Sequence, residues 1–278
     1  MTKIANISVG GRNPVRIMGI LNTSPESFYK KSIKTTHLKI KNTVIQMEND
    51  GADFIDVGGM STAPYLSTNV SEKVESNRIL NAVKIIQNST NLPISVDTCR
   101  SSVAKNALEN DVEIINDISG LKYDKETINI LKKYNTPFVI HHIQGTPATM
   151  QINPKYKNVL LDIYDFFEER IKYLRLKGIK HNHIIIDPGI GFGKNLKHNL
   201  KLIGNISIFH SLGFPILLGI SRKRFIKDIS GKNDSDKRLG GTVSSSLFAM
   251  MQGVQILRVH DVNDIIQSIK VFKKLIKS

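Results

Sequence analysis

Two charged side chains close short apolar runs in the second half of the chain. Ile184-Ile185-Ile186 ends on Asp187, and Ile216-Leu217-Leu218 leads through Gly219-Ile220 to Ser221-Arg222-Lys223. Runs this short read as strands buried on both faces that open into functional loops. A carboxylate and an ammonium at the carboxyl ends of two successive parallel strands face one cavity. The glycine-rich segment after the first strand, Pro188-Gly189-Ile190-Gly191-Phe192-Gly193-Lys194, invites a phosphate-binding reading but does not fit one. A P-loop needs glycine five residues before its Gly-Lys and Ser or Thr after it, and those places hold Pro188 and Asn195. The dinucleotide fingerprint fails as well, because the third glycine stands at the wrong offset.

The elements that must position these residues alternate along the chain. Strands are predicted over 16–22, 54–59, 94–98, 114–119, 138–142, 184–188, 216–221 and 256–260. Helices are predicted over 36–50, 71–88, 100–110, 124–134, 154–178, 197–211, 238–252 and 262–275. Gly51, Gly178, Gly213 and Gly253 stand at helix ends just before strands, where a left-handed residue closes the last turn. A hairpin with arms 3–9 and 15–22, turning at Gly10-Gly11-Arg12-Asn13-Pro14, precedes the alternation. Eight strand–helix units favour a closed (β/α)8 TIM barrel with a short N-terminal β-hairpin over an open sheet. In a barrel the residues at or just past the strand ends converge on one face: Asn22, Asp56, Asp97, Asn116, His142, Asp187, Lys223 and His260. His141 and His142 are adjacent on a strand, so at most one of them faces the lumen.

Composition sets outer bounds. The 278 residues suit one barrel domain over 1–278, and 40% hydrophobic residues suffice for its core. A formal charge of +15 invites nucleic acid, yet the basic residues are spread without a dense run and tryptophan is absent. No nucleic-acid partner is expected, and the positive field suits an anionic small substrate. Cys99 is the only cysteine, so an intrachain disulfide and a cysteine-built metal cluster are excluded, and a small buried thiol is its expected role. No signal-like or membrane-length apolar stretch occurs, which makes the cytoplasm the expected location and a membrane partner unexpected.

Eight segments, in order, carry a resemblance to the dihydropteroate synthases of the pterin-binding family. They are MGILNTSPESF at 18–28, DVGGMSTAPY at 56–65, SVDT and INDI at 95–98 and 115–118, HIQGTPATMQ at 142–151, DPGIGFGK with a following His-Asn at 187–199, GISRK at 219–223 and RVHDV at 258–262. The resemblance implies condensation of 6-hydroxymethyl-7,8-dihydropterin diphosphate with p-aminobenzoate, giving 7,8-dihydropteroate and pyrophosphate in folate biosynthesis. By motif it implies a pterin site of Thr62, Asp97, Asn116, Asp187, Lys223 and Arg258. The diphosphate falls to Asn22, Arg258 and His260, with Mg2+ at Asn22, and the p-aminobenzoate is bordered by Phe28, Pro64 and Ser221. Asn22, Lys223, Arg258 and His260 are the residues expected to act in catalysis. A homodimer and sulfonamide sensitivity belong to the same resemblance. No obligatory general base is legible, since the arylamine is already a nucleophile.

The first two loops depart from the family pattern. Tyr29-Lys30-Lys31-Ser32 stands where Ser-Asp-Gly-Gly is usual, and Met60, Ala63 and Tyr65 replace Glu, Arg and Gly. His141 replaces a usual Met beside the pterin. Lys30 or Lys31 is placed to supply the cation lost at Ala63. The alternatives are a paralogue that binds pterin without condensing it, or the pterin-binding domain of a corrinoid-dependent methyltransferase. That last reading gives Ser221-Arg222-Lys223 and the Arg258–His260 pair no purpose.

Overall fold

The computed structural model describes residues 2–25, 29, 33–61 and 70–276. Its centre is a parallel sheet of eight strands: β3 (Arg16–Asn22), β4 (Phe54–Gly58), β5 (Ile94–Asp97), β6 (Ile114–Asp117), β7 (Phe138–His141), β8 (Ile184–Asp187), β9 (Leu217–Leu218) and β10 (Ile256–Val259). Each of β3 to β7 pairs with the next, while β10 lies between β3 and β9. A bridge between Ile186 and Ile216, with the Ile186 N–H donating to Pro215 O at 2.9 Å, joins β8 to the β9 side and closes the barrel.

Alternation along each strand divides the core in two. Outward residues such as Ile17, Leu21, Ile55, Val57, Val96, Ile115, Ile140, Ile186 and Leu257 pack under the helices. Inward residues Met18, Phe54, Ile114, Val139, Ile185, Leu217 and Ile256 fill the lower lumen. The hairpin closes that lower end, with β1 (Thr2–Ile4) and β2 (Ile7–Val9) sending Ile4 and Val9 into the same cluster.

The hairpin differs from expectation. Its turn is Ala5-Asn6, both left-handed at φ 45 and 66°, and not the Gly10–Pro14 segment. A two-residue turn with both φ positive matches the twist of its strands, and asparagine tolerates that region well. Residues 16–22 are therefore a barrel strand, not a hairpin arm.

The surrounding helices are α1 (His37–Asp50), α2 (Glu72–Gln87), α3 (Ser101–Leu108), α4 (Glu126–Tyr134), α5 (Val159–Leu176), α6 (Leu196–Gly204), α7 (Arg224–Ser230), α8 (Leu239–Met251) and α9 (Val262–Leu275). The expected helix at 197–211 breaks after Gly204 and continues as a 3-10 helix, Ile206–Leu212. The expected start of α5 at 154 moves to Val159, because the Asn158 side chain accepts from the Leu160 N–H and caps the helix there. The short α7 was not expected; it opens on the Lys223 that ends the strand motif and closes at left-handed Gly231.

The glycine-rich loop is a packing device. Gly189, Gly191 and Gly193 all have positive φ, and a Cβ at Gly189 would lie 2.0 Å from His142 O while one at Gly193 would lie 2.5 Å from Gln144 O. The loop thus lies flat against the end of β7. Lys194, 2% exposed, is spent on the same join: its ammonium reaches His142 Nδ1 at 2.9 Å, Phe192 O at 2.8 Å and His142 O at 3.3 Å. Gly189→Ala should lower the unfolding free energy by at least about 2 kcal/mol in chemical denaturation. Gly231→Ala shares the left-handed φ but meets nothing within 4 Å, and should cost only about 1 kcal/mol; equal losses would contradict the packing role of the loop.

Candidate active site

Polar residues occupy the inward positions only above the apolar layer. On β4 the inward series runs Phe54, Asp56, Gly58; on β5, Ser95 and Asp97; on β6, Ile114 and Asn116; on β7, Val139 and His141; on β8, Ile185 and Asp187. From β10, Arg258 enters above Ile256. These side chains meet at the carboxyl face.

Arg258 is the centre of the arrangement. Its Nε donates to Asp56 Oδ2 at 2.5 Å and its Nη2 to Asp97 Oδ2 at 3.0 Å. Asn116 Nδ2 donates to the same Asp56 oxygen at 3.2 Å. Burial lifts the Asp97 carboxyl to about 7, with Arg258 pulling down and Asp56, Glu75 and Asp117 pushing further up. Two carboxylates thus share one guanidinium.

Opposite them stand Asp187 and Lys223. Burial raises the Asp187 pKa, opposed by Lys223 and by the Gly189 N–H that donates to Asp187 Oδ1 at 2.8 Å. Burial lowers Lys223 to about 8, opposed chiefly by Asp187. The ammonium donates to Ile190 O and sits 4.7 Å from the centre of the Phe192 ring. That ring also meets His141 edge-on, with centroids 4.4 Å apart. The Asp187 carboxylate, the Lys223 ammonium and the aromatic Phe192 and His141 make a slot for a flat heterocycle with donors and an acceptor on one edge.

His141, not His142, belongs to this slot, and the expected strand-end set is corrected accordingly. His141 Nε2 lies 3.9 Å from Asp187 Oδ2, and Nδ1 is 3.2 Å from Ile118 O. Burial and the cations Lys223 and Lys194 hold the ring neutral, well below the usual imidazole range. His142 points outward, between Phe166, Tyr156 and the ammonium of Lys194. Strand parity from Val139 makes that distinction, and it was the signal that singling out the last histidine overlooked.

The remaining expected residues divide. His260 sits just past β10, and its amide donates to Ser221 Oγ at 3.3 Å while Nδ1 lies 2.9 Å from the same oxygen. The Ser221 hydroxyl, with one proton and two lone pairs, pairs with Nδ1 in either imidazole tautomer, and Nε2 is the ring's other polar atom. Burial, then Arg258, Arg222 and Lys223, push His260 down to about 3, so the ring is a neutral imidazole. Ser221 is 2% exposed and reaches the site through this imidazole. Tyr29 packs edge-on against His260, centroids 5.0 Å apart, and lies over the guanidinium of Arg222, which is itself bound by Asp261. Asn22 ends β3 beside Gly58, where a Cβ would come within 3.5 Å of its side-chain oxygen. Thr62, Phe28 and Pro64 lie outside the described residues, as do Lys30, Lys31, Ala63 and Tyr65. Cys99 is half-buried, and burial with the nearby Asp117 raises its thiol well above the usual value.

A closed parallel barrel with charged strand ends gathered at its carboxyl face is an enzyme architecture, with the site at the loop end. The family model of pterin binding enzymes matches residues 18–260, and the chain belongs to that family. It is 37% identical to a dihydropteroate synthase of Synechocystis over 92% of this chain and 88% of that one. Among solved structures it is similar to the Yersinia pestis dihydropteroate synthase with a sulfonamide drug complex, at TM-score 0.92 and 32% identity, covering 99% and 98% of the two chains. It is also similar to the Xanthomonas albilineans dihydropteroate synthase in complex with 7,8-dihydropteroate, at TM-score 0.82 and 29% identity over 95% and 94%.

The charge balance of the slot is open to direct measurement. In 15N-lysine-labelled protein Lys223 should titrate near 8, and Asp187→Asn should move its midpoint down, because the carboxylate is the largest influence favouring the ammonium. Since this folded value lies below the ordinary 10.5, the unfolded chain holds more protons between the two, and the group's contribution to stability rises with pH across that window. A midpoint indifferent to Asp187 would contradict the pairing.

Proposed function

We propose that this protein is a transferase that condenses 6-hydroxymethyl-7,8-dihydropterin diphosphate with p-aminobenzoate to 7,8-dihydropteroate and pyrophosphate, as in folate biosynthesis. The observation that carries the reading is the presence, on one rim, of a slot for a planar ring edge and of donors for an anion. Asp187 accepts from the adjacent N–H groups of the pterin edge while Lys223 donates to the carbonyl beside them. Asp97 and Asn116 complete the polar contacts of the ring, and Arg258 with His260, in the tautomer whose Nδ1 accepts the Ser221 hydroxyl and whose Nε2 carries the proton, addresses the diphosphate.

In the reaction the arylamine nitrogen forms a bond to the pterin methylene carbon as the carbon–oxygen bond to the diphosphate breaks. The electron pair leaves with pyrophosphate, and the amine sheds one proton to solvent or to the departing anion. Catalysis rests on positioning and on donors aimed at the oxygen that gains charge. His260 is neutral in the free protein, and an anion beside it favours protonation, so its donor strengthens as the diphosphate departs. Arginine and neutral imidazole suffice to bind; neither needs to act as a base.

The Mg2+ implied by the family fits the described residues in one way. No three His, Cys, Asp or Glu among them gather as a protein-made cage would require. Asn22 offers a neutral oxygen at the strand end, which suits an ion that brings most of its ligands as phosphate oxygens and water. Bound there, the ion would neutralise charge on the leaving diphosphate.

The small-molecule substrates are taken as the only partners besides a second copy of the chain, with neither nucleic acid nor membrane involved. No helix among the described residues is long and apolar enough to cross a membrane, and a cytoplasmic location is part of the proposal. A homodimer is favoured by exposed Phe248 and Met251 on α8, with Val271 and Leu275 exposed on α9. The whole chain is taken as one catalytic domain. The paralogue and corrinoid-methyltransferase readings have no use for Arg258 and His260 beside the ring slot.

Steady-state release of pyrophosphate in the presence of both substrates tests the reading, and ring binding without release would overturn it. Asp187→Asn should weaken pterin binding by about 2–3 kcal/mol in titration calorimetry. Arg258→Ala should depress turnover far more than it weakens binding of the pterin that lacks the diphosphate. Equal losses would remove Arg258 from the diphosphate.

A further inference from the structure

Asp56 has no assigned part in this chemistry, yet it holds the residue on which the diphosphate depends. It is fully buried in the middle of β4, and its Oδ2 accepts from both Arg258 Nε and Asn116 Nδ2. Its Oδ1 is also buried and has no hydrogen-bond partner among the described residues. Directly opposite on β5 stands Ser95, equally buried, its hydroxyl without a partner among the described residues. A carboxylate buried with one bare oxygen is costly to stability. A device serving only to hold the barrel together would avoid it.

The charge count sharpens the point. Asp56 and Asp97 both engage the single guanidinium of Arg258, so one more carboxyl is buried there than an arginine–carboxylate pair needs. Their geometry does different things: Asp97 lies at the end of its strand and engages Nη2, whereas Asp56 lies one inward position deeper and engages Nε. An arginine tethered at Nε from below cannot swing about its stem. Its Nη1 edge then has no acceptor among the described residues.

We propose that Asp56 is a positioning residue for phosphoryl recognition: from beneath the rim it fixes the Arg258 guanidinium by its Nε, and through Asn116 it ties that setting to the ring slot. The inference rests on the function proposed above and deepens it. It assigns recognition of the diphosphate to a four-residue unit of Asp56, Asn116, Arg258 and Asp97 spanning β4, β5, β6 and β10. The carboxylate touches neither substrate. A bound ring that engages Asn116 thereby acts on the same oxygen that orients Arg258, so ring and tail are read together.

The test is Asp56→Asn in the full chain, measured by kcat and KM for the pterin diphosphate, by Kd for the pterin alcohol without diphosphate, and by thermal unfolding. Wild-type pyrophosphate release comes first, and its failure would sink the proposed function rather than this inference. With an active wild type, Asp56→Asn should lose about tenfold to a hundredfold in kcat/KM, as a misplaced distal group does. Affinity for the pterin alcohol should change less than about threefold, below the scale of one charged hydrogen bond. The melting temperature should hold or rise, because a neutral Asp97–Arg258 pair remains. In an Arg258→Lys background Asp56→Asn should cost little more, since Asp56 works through that side chain. Unchanged turnover in Asp56→Asn overturns the inference, as does a parallel loss of turnover, ring affinity and melting temperature. If Asp56→Asn does not fold, Asp56→Glu, which keeps the charge but displaces the guanidinium by a methylene, should show the same loss of kcat/KM with ring affinity held within about threefold, and unchanged turnover or an equal loss of ring affinity overturns the inference.

Discussion

One guanidinium held between two buried carboxylates is the interaction on which the upper half of the barrel depends. Arg258 crosses from β10 to meet Asp56 of β4 and Asp97 of β5, 202 and 161 residues away in the chain. Such a contact requires the strands to be in register around a closed barrel, and it converts closure into chemistry. Below it the lumen is filled by Met18, Phe54, Ile114, Val139, Ile185, Leu217 and Ile256. Above it the mouth opens to ligand. The low dielectric under the rim strengthens each charge interaction there and makes every unpaired polar atom expensive.

The rim is accordingly balanced by opposition. Asp187 faces Lys223, and Asp97 with Asp56 faces Arg258. Burial lifts Asp97 to about 7 and lowers Lys223 to about 8, so neither is locked in its charged form before a ligand arrives. A substrate that hydrogen-bonds these groups stabilises the ionised pair, and analogues that leave one unpaired are penalised. The glycine loop contributes indirectly, since Gly189 and Gly193 let the chain lie against β7 and so bring Phe192 against His141 and under Lys223.

Much of this was legible in the sequence because period-2 strands and glycine-capped helices write their signals locally. The barrel, the order of its units and the polar ends at Asp97, Asn116, Asp187 and Lys223 follow from such signals. The hairpin turn did not, because Ala5-Asn6 takes a left-handed path with no glycine to mark it, while Gly10-Gly11 is the more conspicuous breaker. The helix α7 was hidden by the polar Ser-Arg-Lys run at its start and by its length of 7 residues. The strand-end reading falls on His142 although the motif already puts His141 beside the pterin, because both stand at the end of the same strand and only parity separates them. Asp56 was legible as a strand-end residue, but its hold on Arg258 is a long-range contact that no spacing encodes. Lys194, adjacent to the glycines, resembled a phosphate ligand in type and turned out to be a buried strut.

The account stands on one geometric claim: that a single rim grips a bicyclic ring at Asp187, Lys223, Asp97 and Asn116 and its phosphorylated tail at Arg258 and His260. A crystal structure of the protein with the pterin diphosphate and a p-aminobenzoate analogue tests it most directly. The account predicts the ring edge against Asp187 with its carbonyl at Lys223, and diphosphate oxygens within hydrogen-bond distance of Arg258 Nη1 and His260 Nε2. A ring seated away from Asp187, or a diphosphate that touches neither Arg258 nor His260, would contradict it.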